Sequence, residues 1–252
     1  MLLPLRAEVP RARFPWVTLG LAGLCVAVFA VEQALGPADL VRFARRTGVV
    51  PWEIAHLRDL VDAGQPADLL PPPLTIVSSM FVHGDLWHLL GNVWFLWLFG
   101  SRLEGRLGPG RFLALFLLAG AAAAILQVSA LPSSTTPMIG ASGAIAGLLG
   151  AFTRTFPRAR VRCLVCVLFF VTSVRLPSLL MLGLWLLVQV AAMGAAGPGT
   201  ASVAWYAHVG GFVAGLGLGR LDRVGCANGA KARRGGPGAR SGWPGAAVAT
   251  PG

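Results

Sequence analysis

Charged side chains are scarce in this chain. Only 12% of its 252 residues are Asp, Glu, Lys or Arg, whereas 55% are hydrophobic and the mean hydropathy is +0.69. A soluble domain carries about twice that charged fraction. The composition therefore argues against an ordinary soluble domain and predicts a protein that crosses a lipid bilayer several times.

Acidic residues are rarer than basic ones, 10 against 21, and all but one of the basic residues are arginine. In a soluble protein a net charge of +11 would suggest nucleic-acid binding. In a membrane protein, arginines instead mark the loops that stay on the cytoplasmic side. We therefore expect a lipid bilayer around the chain and no nucleic-acid partner.

Cysteine is also rare, with four residues in the chain. Cys163 and Cys166 form one CxxC motif without a second pair, whereas a structural zinc site needs about four ligands. Cys25 lies in an apolar run and Cys226 in the C-terminal tail, so no disulfide framework is indicated. The apolar runs also lack paired carboxylates. We expect neither a metal ion nor a cofactor.

Six apolar runs are present, and several need flanking residues to reach the length of a membrane crossing. They cover residues 16–31, 86–99, 112–131, 142–152, 177–193 and 205–218. The sequence thus predicts an all-α polytopic protein with six transmembrane helices in a membrane domain of residues 16–220. A cleaved signal peptide is the alternative for the first run, because small residues follow its apolar core.

Four segments lie outside these runs. Residues 1–15 are predicted to form a cytoplasmic N-terminus, and residues 36–79 a large first loop that is partly ordered at the membrane surface. Residues 160–176 are apolar between arginines, which suits a re-entrant or interfacial segment or an extension of the fifth helix. Residues 221–252 are rich in Gly, Ala, Pro and Arg, which predicts a disordered basic cytoplasmic tail.

Basic residues occur in alternate loops, except for four arginines that accompany five acidic residues in the long first loop. Three precede span one, three lie between spans two and three, five between spans four and five, and six after span six. None lies between spans three and four or between spans five and six. By the positive-inside rule both termini are cytoplasmic. Spans two, four and six then all begin at the outer surface.

These three spans carry unusual polar residues near their outer ends. Taken singly, each residue has an ordinary structural explanation. Ser142 suits close helix packing, Asn92 an interhelical hydrogen bond, and His88 and His208 the membrane interface. Their coincidence at one depth favours a functional site instead, because burying unpaired polar groups costs a few kcal/mol.

Small residues recur on one face of span four and one face of span six, where they let two backbones approach closely. The two faces consist of Ser142, Ala146 and Gly150 in span four, and of His208, Gly211 and Gly215 in span six. This packing predicts Ser142 as a nucleophile with His208 as its base. His88 and Asn92 would supply oxyanion donors. No Asp or Glu lies inside spans two to six, so a dyad is expected rather than a triad.

At these residues the sequence resembles the rhomboid intramembrane serine proteases, specifically the bacterial six-span type. The resemblance covers residues 48–219 and rests on four motifs in order along the chain. They are His83 to Asn92, similar to the family's His–His–Asn segment; Gly100, Glu104 and Gly108, similar to its glycine–glutamate–glycine turn; Gly140-Ala141-Ser142-Gly143, similar to its GxSG motif; and Ala207-His208 with Gly210, Gly211 and Gly215, similar to its base helix.

The resemblance implies that Ser142 is the nucleophile and His208 the general base, with His88 and Asn92 as oxyanion donors and His83 in support. It implies hydrolysis of a peptide bond in or near the transmembrane helix of a membrane-protein substrate, which would enter between spans two and five. It also implies a bacterial cell membrane as the location. Gly140 and Gly143 would shape the nucleophile turn, and Gly211 and Gly215 the helix packing.

Two features depart from some members of that family. Ala146 stands where an aromatic residue can stack on the histidine, so the sequence does not say how His208 is held. The first loop also lacks a Trp-Arg dipeptide, although Trp52 and Arg58 are present.

Two other functions stay open. A catalytically silent relative would bind and escort membrane helices, although such proteins typically lack the serine or the histidine. A small transporter would line a path with the same polar residues, but neither an inverted repeat nor an acidic pair for a coupling ion is visible. Cleavage that is lost in Ser142→Ala would favour the protease, and ion flux in liposomes would favour the transporter.

Overall fold

The computed structural model of the chain describes residues 2–10, 13–62, 71–167, 170–195 and 204–219. The predicted tail, residues 221–252, lies outside these ranges. The elements in chain order are β1 (Leu2–Ala7), α1 (Trp16–Gln33), α2 (Pro37–Thr47), α3 (Pro51–Ala55), α4 (Leu57–Asp62), α5 (Pro72–Ser78), α6 (Leu86–Phe95), α7 (Ser101–Leu107), α8 (Pro109–Ala130), α9 (Ser142–Thr155), β2 (Arg160–Val167), β3 (Phe170–Pro177), α10 (Ser178–Ala195) and α11 (Trp205–Leu218). The described chain is mostly helical.

Each predicted span coincides with helical structure. In the part of the chain that the structure describes, two helices are long and apolar enough to cross a membrane on their own, α1 and α8. The apolar part of α10 is shorter. A run of five residues in π-helical geometry, Leu96–Gly100, joins α6 to α7, so helical structure extends from residue 86 to residue 107.

Helix α9 lies at the centre of the fold, packed against α8 and α11. All its residues from Gly143 to Thr153 are buried. Its sequence consists largely of glycine, alanine and leucine, and such small side chains allow neighbouring backbones to surround a helix closely. The central position of α9 places its first residue, Ser142, among the ends of the neighbouring helices.

Helix α1 buries a single face, formed by residues at helical spacing: Thr18, Leu21, Cys25, Phe29 and Glu32. Its first turn is closed by Glu104 of α7. The Glu104 carboxylate accepts hydrogen bonds from the backbone N–H groups of Val17 and Thr18 at 2.9 and 2.8 Å. A carboxylate at this position satisfies free N–H groups and complements the positive end of the helix dipole.

The prediction of an all-α protein is wrong for two segments. Residues 2–7, 160–167 and 170–177 form a three-stranded antiparallel sheet in the order β1-β2-β3. Arg160 and Arg162 are accessible, whereas Val161 and Cys163 are buried against the helices. Accessible and buried side chains thus alternate with the two-residue period of a β-strand, and the β-branched valines of this segment favour strand structure. The extension of the fifth helix considered from the sequence is therefore not formed, since α10 begins at Ser178.

The first loop contains four short helices, α2 to α5, in the described parts of residues 36–79. It is fixed to the segment that precedes Ser142 by a pair of backbone hydrogen bonds between Val49 and Met138, at 2.7 and 3.0 Å. Trp52 N–H also donates to the Ser134 carbonyl at 2.9 Å. The loop therefore helps to hold the chain that leads into α9.

Candidate active site

Ser142 is the first residue of α9 and is partly accessible. The turn before it depends on Gly140, whose φ of +108° lies in the region that favours glycine. The Gly140 N–H donates to the Ser79 carbonyl at 2.8 Å, which fixes the turn. The N–H groups in the first turn of α9 form the positive end of the helix dipole beside the Ser142 hydroxyl.

His208 lies in the first turn of α11 and is 8% exposed. Its Nε2 lies 2.8 Å from Ser142 Oγ. The chain thus brings together two residues that are 66 positions apart. The distance and the two atom types are those of a hydrogen bond between a serine hydroxyl and an imidazole nitrogen.

Gln189 of α10 contacts the other side of the same imidazole. Its Oε1 lies 2.6 Å from His208 Nδ1, and the side chain is 7% exposed. The rings of Trp185 and Trp205 lie 5.9 and 6.0 Å from that of His208, centroid to centroid. The sequence interpretation missed this group, which holds His208 without the absent aromatic at position 146. The available signal was one amide in an otherwise apolar span.

His88 and Asn92 lie one turn apart on α6 and border Gly140. A Cβ atom built on Gly140 would lie 2.6 Å from His88 Nε2 and 3.7 Å from Asn92 Nδ2. Asn92 Nδ2 also donates to the His88 carbonyl at 3.0 Å, which fixes the orientation of the amide. Asp85 caps α6 by accepting the His88 N–H at 2.9 Å. Two side-chain donors therefore lie next to the turn that presents Ser142.

His83 is buried beside this group, with 1% of its surface exposed. Its ring lies edge-on to that of His88 at 5.1 Å, and its Nδ1 lies 3.0 Å from the Phe81 carbonyl. The Glu32 carboxylate at the end of α1 accepts the His83 N–H at 3.0 and 3.2 Å. Burial, and next the proximity of His88, lower the pKa of His83 to about 4. Glu32 was not singled out in the sequence.

The α9–α11 contact is formed by glycines. A Cβ at Gly211 would overlap the Gly143 carbonyl, and one at Gly215 would overlap the Gly147 carbonyl. Two members of the face predicted for α9 also contact α11: Ser142 through His208, and Gly150, whose Cβ would overlap the Phe212 carbonyl. The close approach at Gly143 and Gly147 was not part of that prediction. Gly143 also lies against Ala123 of α8.

A small cavity opens beside Ser142, between the turn at residues 138–140 and the start of α11 at Ala204 and Ala207. Within the described ranges, no three His, Cys, Asp or Glu side chains are grouped as metal ligands. The site consists of a hydroxyl, imidazoles and amides. These groups can attack a carbonyl carbon, transfer a proton and donate hydrogen bonds to an oxyanion.

A family model described as "Rhomboid domain" matches residues 73–224, more than half of the chain. The chain belongs to the rhomboid family. It is a rhomboid membrane protein with a mostly helical domain, and the match includes Ser142, His208, Gln189, His88 and Asn92.

Curated relatives match shorter segments. "Rhomboid protein 1, mitochondrial" of Saccharomyces cerevisiae is 34% identical over 98 residues, 37% of this chain and 28% of that protein. "Presenilin-associated rhomboid-like protein, mitochondrial" of Homo sapiens is 30% identical over 100 residues, 39% of this chain and 26% of that protein. "RHOMBOID-like protein 6, mitochondrial" of Arabidopsis thaliana is 36% identical over 76 residues, 30% of this chain and 24% of that protein. The chain thus matches less than a third of each relative's length.

These relatives contradict the predicted location in a bacterial cell membrane, because their names describe mitochondrial proteins. The sequence offers two signals, the length of the apolar spans and the distribution of arginines. They indicate only that a chain crosses a bilayer and with which orientation. They do not distinguish one membrane from another, and the location predicted from resemblance alone was wrong.

Proposed function

We propose that this protein is an intramembrane serine protease that hydrolyses a peptide bond in or near the transmembrane helix of a membrane-protein substrate. The observation that carries the proposal is the distance of 2.8 Å between Ser142 Oγ and His208 Nε2. A serine hydroxyl is a weak nucleophile until an adjacent base accepts its proton. His208, buried and held on both sides, is in place to do so.

In the proposed reaction, Ser142 Oγ attacks the carbonyl carbon of the substrate while its proton passes to His208 Nε2. The carbonyl oxygen becomes an oxyanion, which accepts hydrogen bonds from donors of His88 and Asn92. The C–N bond then breaks, and His208 returns the proton to the leaving amine. Water, deprotonated by His208, attacks the resulting ester, and Ser142 leaves with the proton.

We also propose the six-span arrangement for the membrane domain. Strands β1 and β2 are hydrogen-bonded to each other, so residues 2–7 and 160–167 lie on the same side of the membrane. A sheet with open edges is not stable within the hydrocarbon layer. The number of crossings between the two strands is therefore even. Helix α1, the α6–α7 run, α8 and α9 supply four crossings, and α10 and α11 supply two more.

The activity is tested with purified protein in liposomes, given a fluorophosphonate probe and a single-span substrate with a Gly/Ala-rich outer half. We expect the wild type to be labelled and to cleave, and Ser142→Ala and His208→Ala to lose both activities. Ser129→Ala is the matched control, because the exposed Ser129 hydroxyl only donates a hydrogen bond to the Ile125 carbonyl of its own helix. Cleavage that survives Ser142→Ala would contradict the mechanism. A folded wild type that neither labels nor cleaves would favour helix binding instead.

The topology is tested with single cysteines on a background without native cysteines. A membrane-impermeant maleimide should label Glu8→Cys and Arg158→Cys from one side and Ser133→Cys, between α8 and α9, from the other. Labelling of all three variants from the same side would overturn the six-span arrangement.

A further inference from the structure

We propose that Gln189 is a positioning residue that fixes the proton of His208 on Nδ1 and makes the dyad depend on the position of α10. This inference rests on the proposed function and goes beyond the dyad itself. It is carried by the contact between Gln189 Oε1 and His208 Nδ1 at 2.6 Å. Both side chains are more than nine-tenths buried, so water does not compete for the contact.

The contact with Gln189 determines which of the two ring nitrogens of His208 carries the proton. An amide oxygen only accepts hydrogen bonds, so Nδ1 must carry the proton that it donates to Gln189. In neutral imidazole, Nε2 is then left with a lone pair. That lone pair faces the Ser142 hydroxyl at 2.8 Å and can accept its proton. The opposite tautomer would place a proton on Nε2 and remove the base.

The neighbouring rings fix the plane of the imidazole but not its proton. Trp185 lies one turn before Gln189 on α10, and its ring is tilted by 40° to that of His208. Trp205 contacts the same ring edge-on, at 86°. Within the described residues neither indole is hydrogen-bonded to Nδ1, and Gln189 supplies the polar contact on that side of the ring.

A neutral amide differs from a carboxylate in this position. The imidazole of His208 contacts Ser142 of α9 and Gln189 of α10, and Gln127 of α8 accepts the N–H of the preceding residue, Ala207. None of these three side chains titrates near neutral pH. The titratable group near His208 in the described residues is His88 of α6. The imidazolium that forms during the reaction is therefore stabilised by an amide dipole rather than by a negative charge.

Gln189 also links α10 to the helices that carry the dyad. At its start, α10 is fixed by Ser178, whose N–H donates to the Ala159 carbonyl at 2.8 Å. Farther along, the large side chains of Leu184, Leu187 and Val188 are exposed on the outer surface of the helix. An outward displacement of α10 by the length of one side chain would break the contact with His208. The dyad is then complete only while α10 is packed in place.

The test compares Gln189→Leu, which removes the acceptor, with Gln189→Glu, which keeps it. Leu187→Ala is the control, since Leu187 is 62% exposed on the same helix. Three quantities are measured for each full-length variant in liposomes: the rate of fluorophosphonate labelling of Ser142, kcat and KM for the single-span substrate, and the thermal midpoint. Labelling and kcat/KM are recorded from pH 5 to pH 9.

We expect Gln189→Leu to lower the labelling rate and kcat by about 10- to 100-fold, a partial loss of the roughly 10²- to 10⁴-fold that general-base catalysis contributes, with KM nearly unchanged. Gln189→Glu should restore the labelling rate to within a few-fold of the wild type. It should also move the acid limb of the pH profile to higher pH, because a carboxylate favours the protonated ring. Leu187→Ala should match the wild type.

If Gln189→Leu is labelled at the wild-type rate, the positioning role is overturned, whereas the proposed protease function is not. The positioning role would also be overturned if the labelling rate of Gln189→Leu falls in proportion to its thermal midpoint while Gln189→Glu neither restores labelling nor shifts the pH profile. The contact would then be merely structural. A folded wild type that is neither labelled nor active would overturn the proposed function and this inference together.

Discussion

Glu104 and Thr18 are joined by two hydrogen bonds across the membrane domain. Thr18 donates its backbone N–H to Glu104 Oε2 at 2.8 Å and its hydroxyl to the same oxygen at 2.7 Å. Both residues are buried, at 2% and 0% exposure. A glutamate of α7 therefore caps the first turn of α1, and these two helices are stabilised as one unit.

Removing this carboxylate should destabilise the fold. We expect Glu104→Ala to lower the free energy of unfolding by about 2–4 kcal/mol, because buried N–H groups lose a charged acceptor. Denaturant unfolding in detergent micelles measures the change. Asp39→Ala is the control, since its ion pair with Arg42 is exposed and worth at most about 1 kcal/mol. Equal losses in the two variants would contradict the capping role.

The donors on α6 give a kinetic prediction. We expect His88→Ala and Asn92→Ala each to reduce kcat by about 10²- to 10³-fold with a smaller effect on KM, as for loss of an oxyanion donor. Gly91→Ala, on the same helix and with nothing within 4 Å of its added Cβ, should keep wild-type kcat. A change confined to KM in the first two variants would assign them to substrate binding instead.

Close packing of α9 and α11 is tested by two glycines on the same helix. Gly215→Ala should cost about 1–3 kcal/mol and reduce labelling of Ser142, because its Cβ would overlap the Gly147 carbonyl. Gly217→Ala meets nothing within 4 Å and should be neutral or slightly stabilising. If both variants unfold alike in a thermal scan, close approach at Gly215 is not what holds the helices together.

His83 should make stability depend on pH. Its pKa of about 4 lies below the ordinary histidine value of 6.5, because burial penalises the charged ring. The unfolded chain therefore binds the proton first as the pH falls. The contribution of His83 is complete above about pH 6.5 and is lost between pH 6.5 and 4, amounting to about 3 kcal/mol.

The His83 prediction is checked by unfolding the wild type and His83→Asn at several pH values in that window. The asparagine keeps a donor for the Phe81 carbonyl but does not titrate. We expect the stability difference between the two proteins to narrow steadily from pH 6.5 to pH 4. A difference that stays constant over the window would show that His83 does not contribute through its protonation.

The positions of the helices could be predicted from the sequence because an apolar run reports burial directly. The sixth span, residues 205–218, coincides with α11, and the fourth begins at Ser142 as expected. The structure also brings His208 to Ser142, and His88 and Asn92 to the Gly140 turn, although their catalytic roles stay predictions. These residues were recognisable because each is a polar group near the outer end of an apolar run.

The features that were missed depend on partners that lie far away in the sequence. β1 pairs with β2 although helices α1 to α9 lie between them in the chain, and no local sequence pattern indicates that pairing. The role proposed for Gln189 depends on its contact with His208. A single amide in an apolar helix does not indicate which residue it will contact. The predicted face of α9 included Ser142 and Gly150, which contact α11, but not Gly143 and Gly147, because residue spacing alone does not fix the rotation of a helix about its axis.

Strand β1 has a consequence for how the protein is made. It is synthesised before α1, but its partner β2 is synthesised only after α9. In the proposed six-span arrangement, residues 2–7 therefore stay unpaired while the four crossings between β1 and β2 enter the bilayer, and they pair with β2 afterwards at the membrane surface. Completion of the sheet is therefore a late event in assembly. β1 and β2 can pair only if the crossings between them were inserted with the orientation that brings both strands to the same side of the membrane.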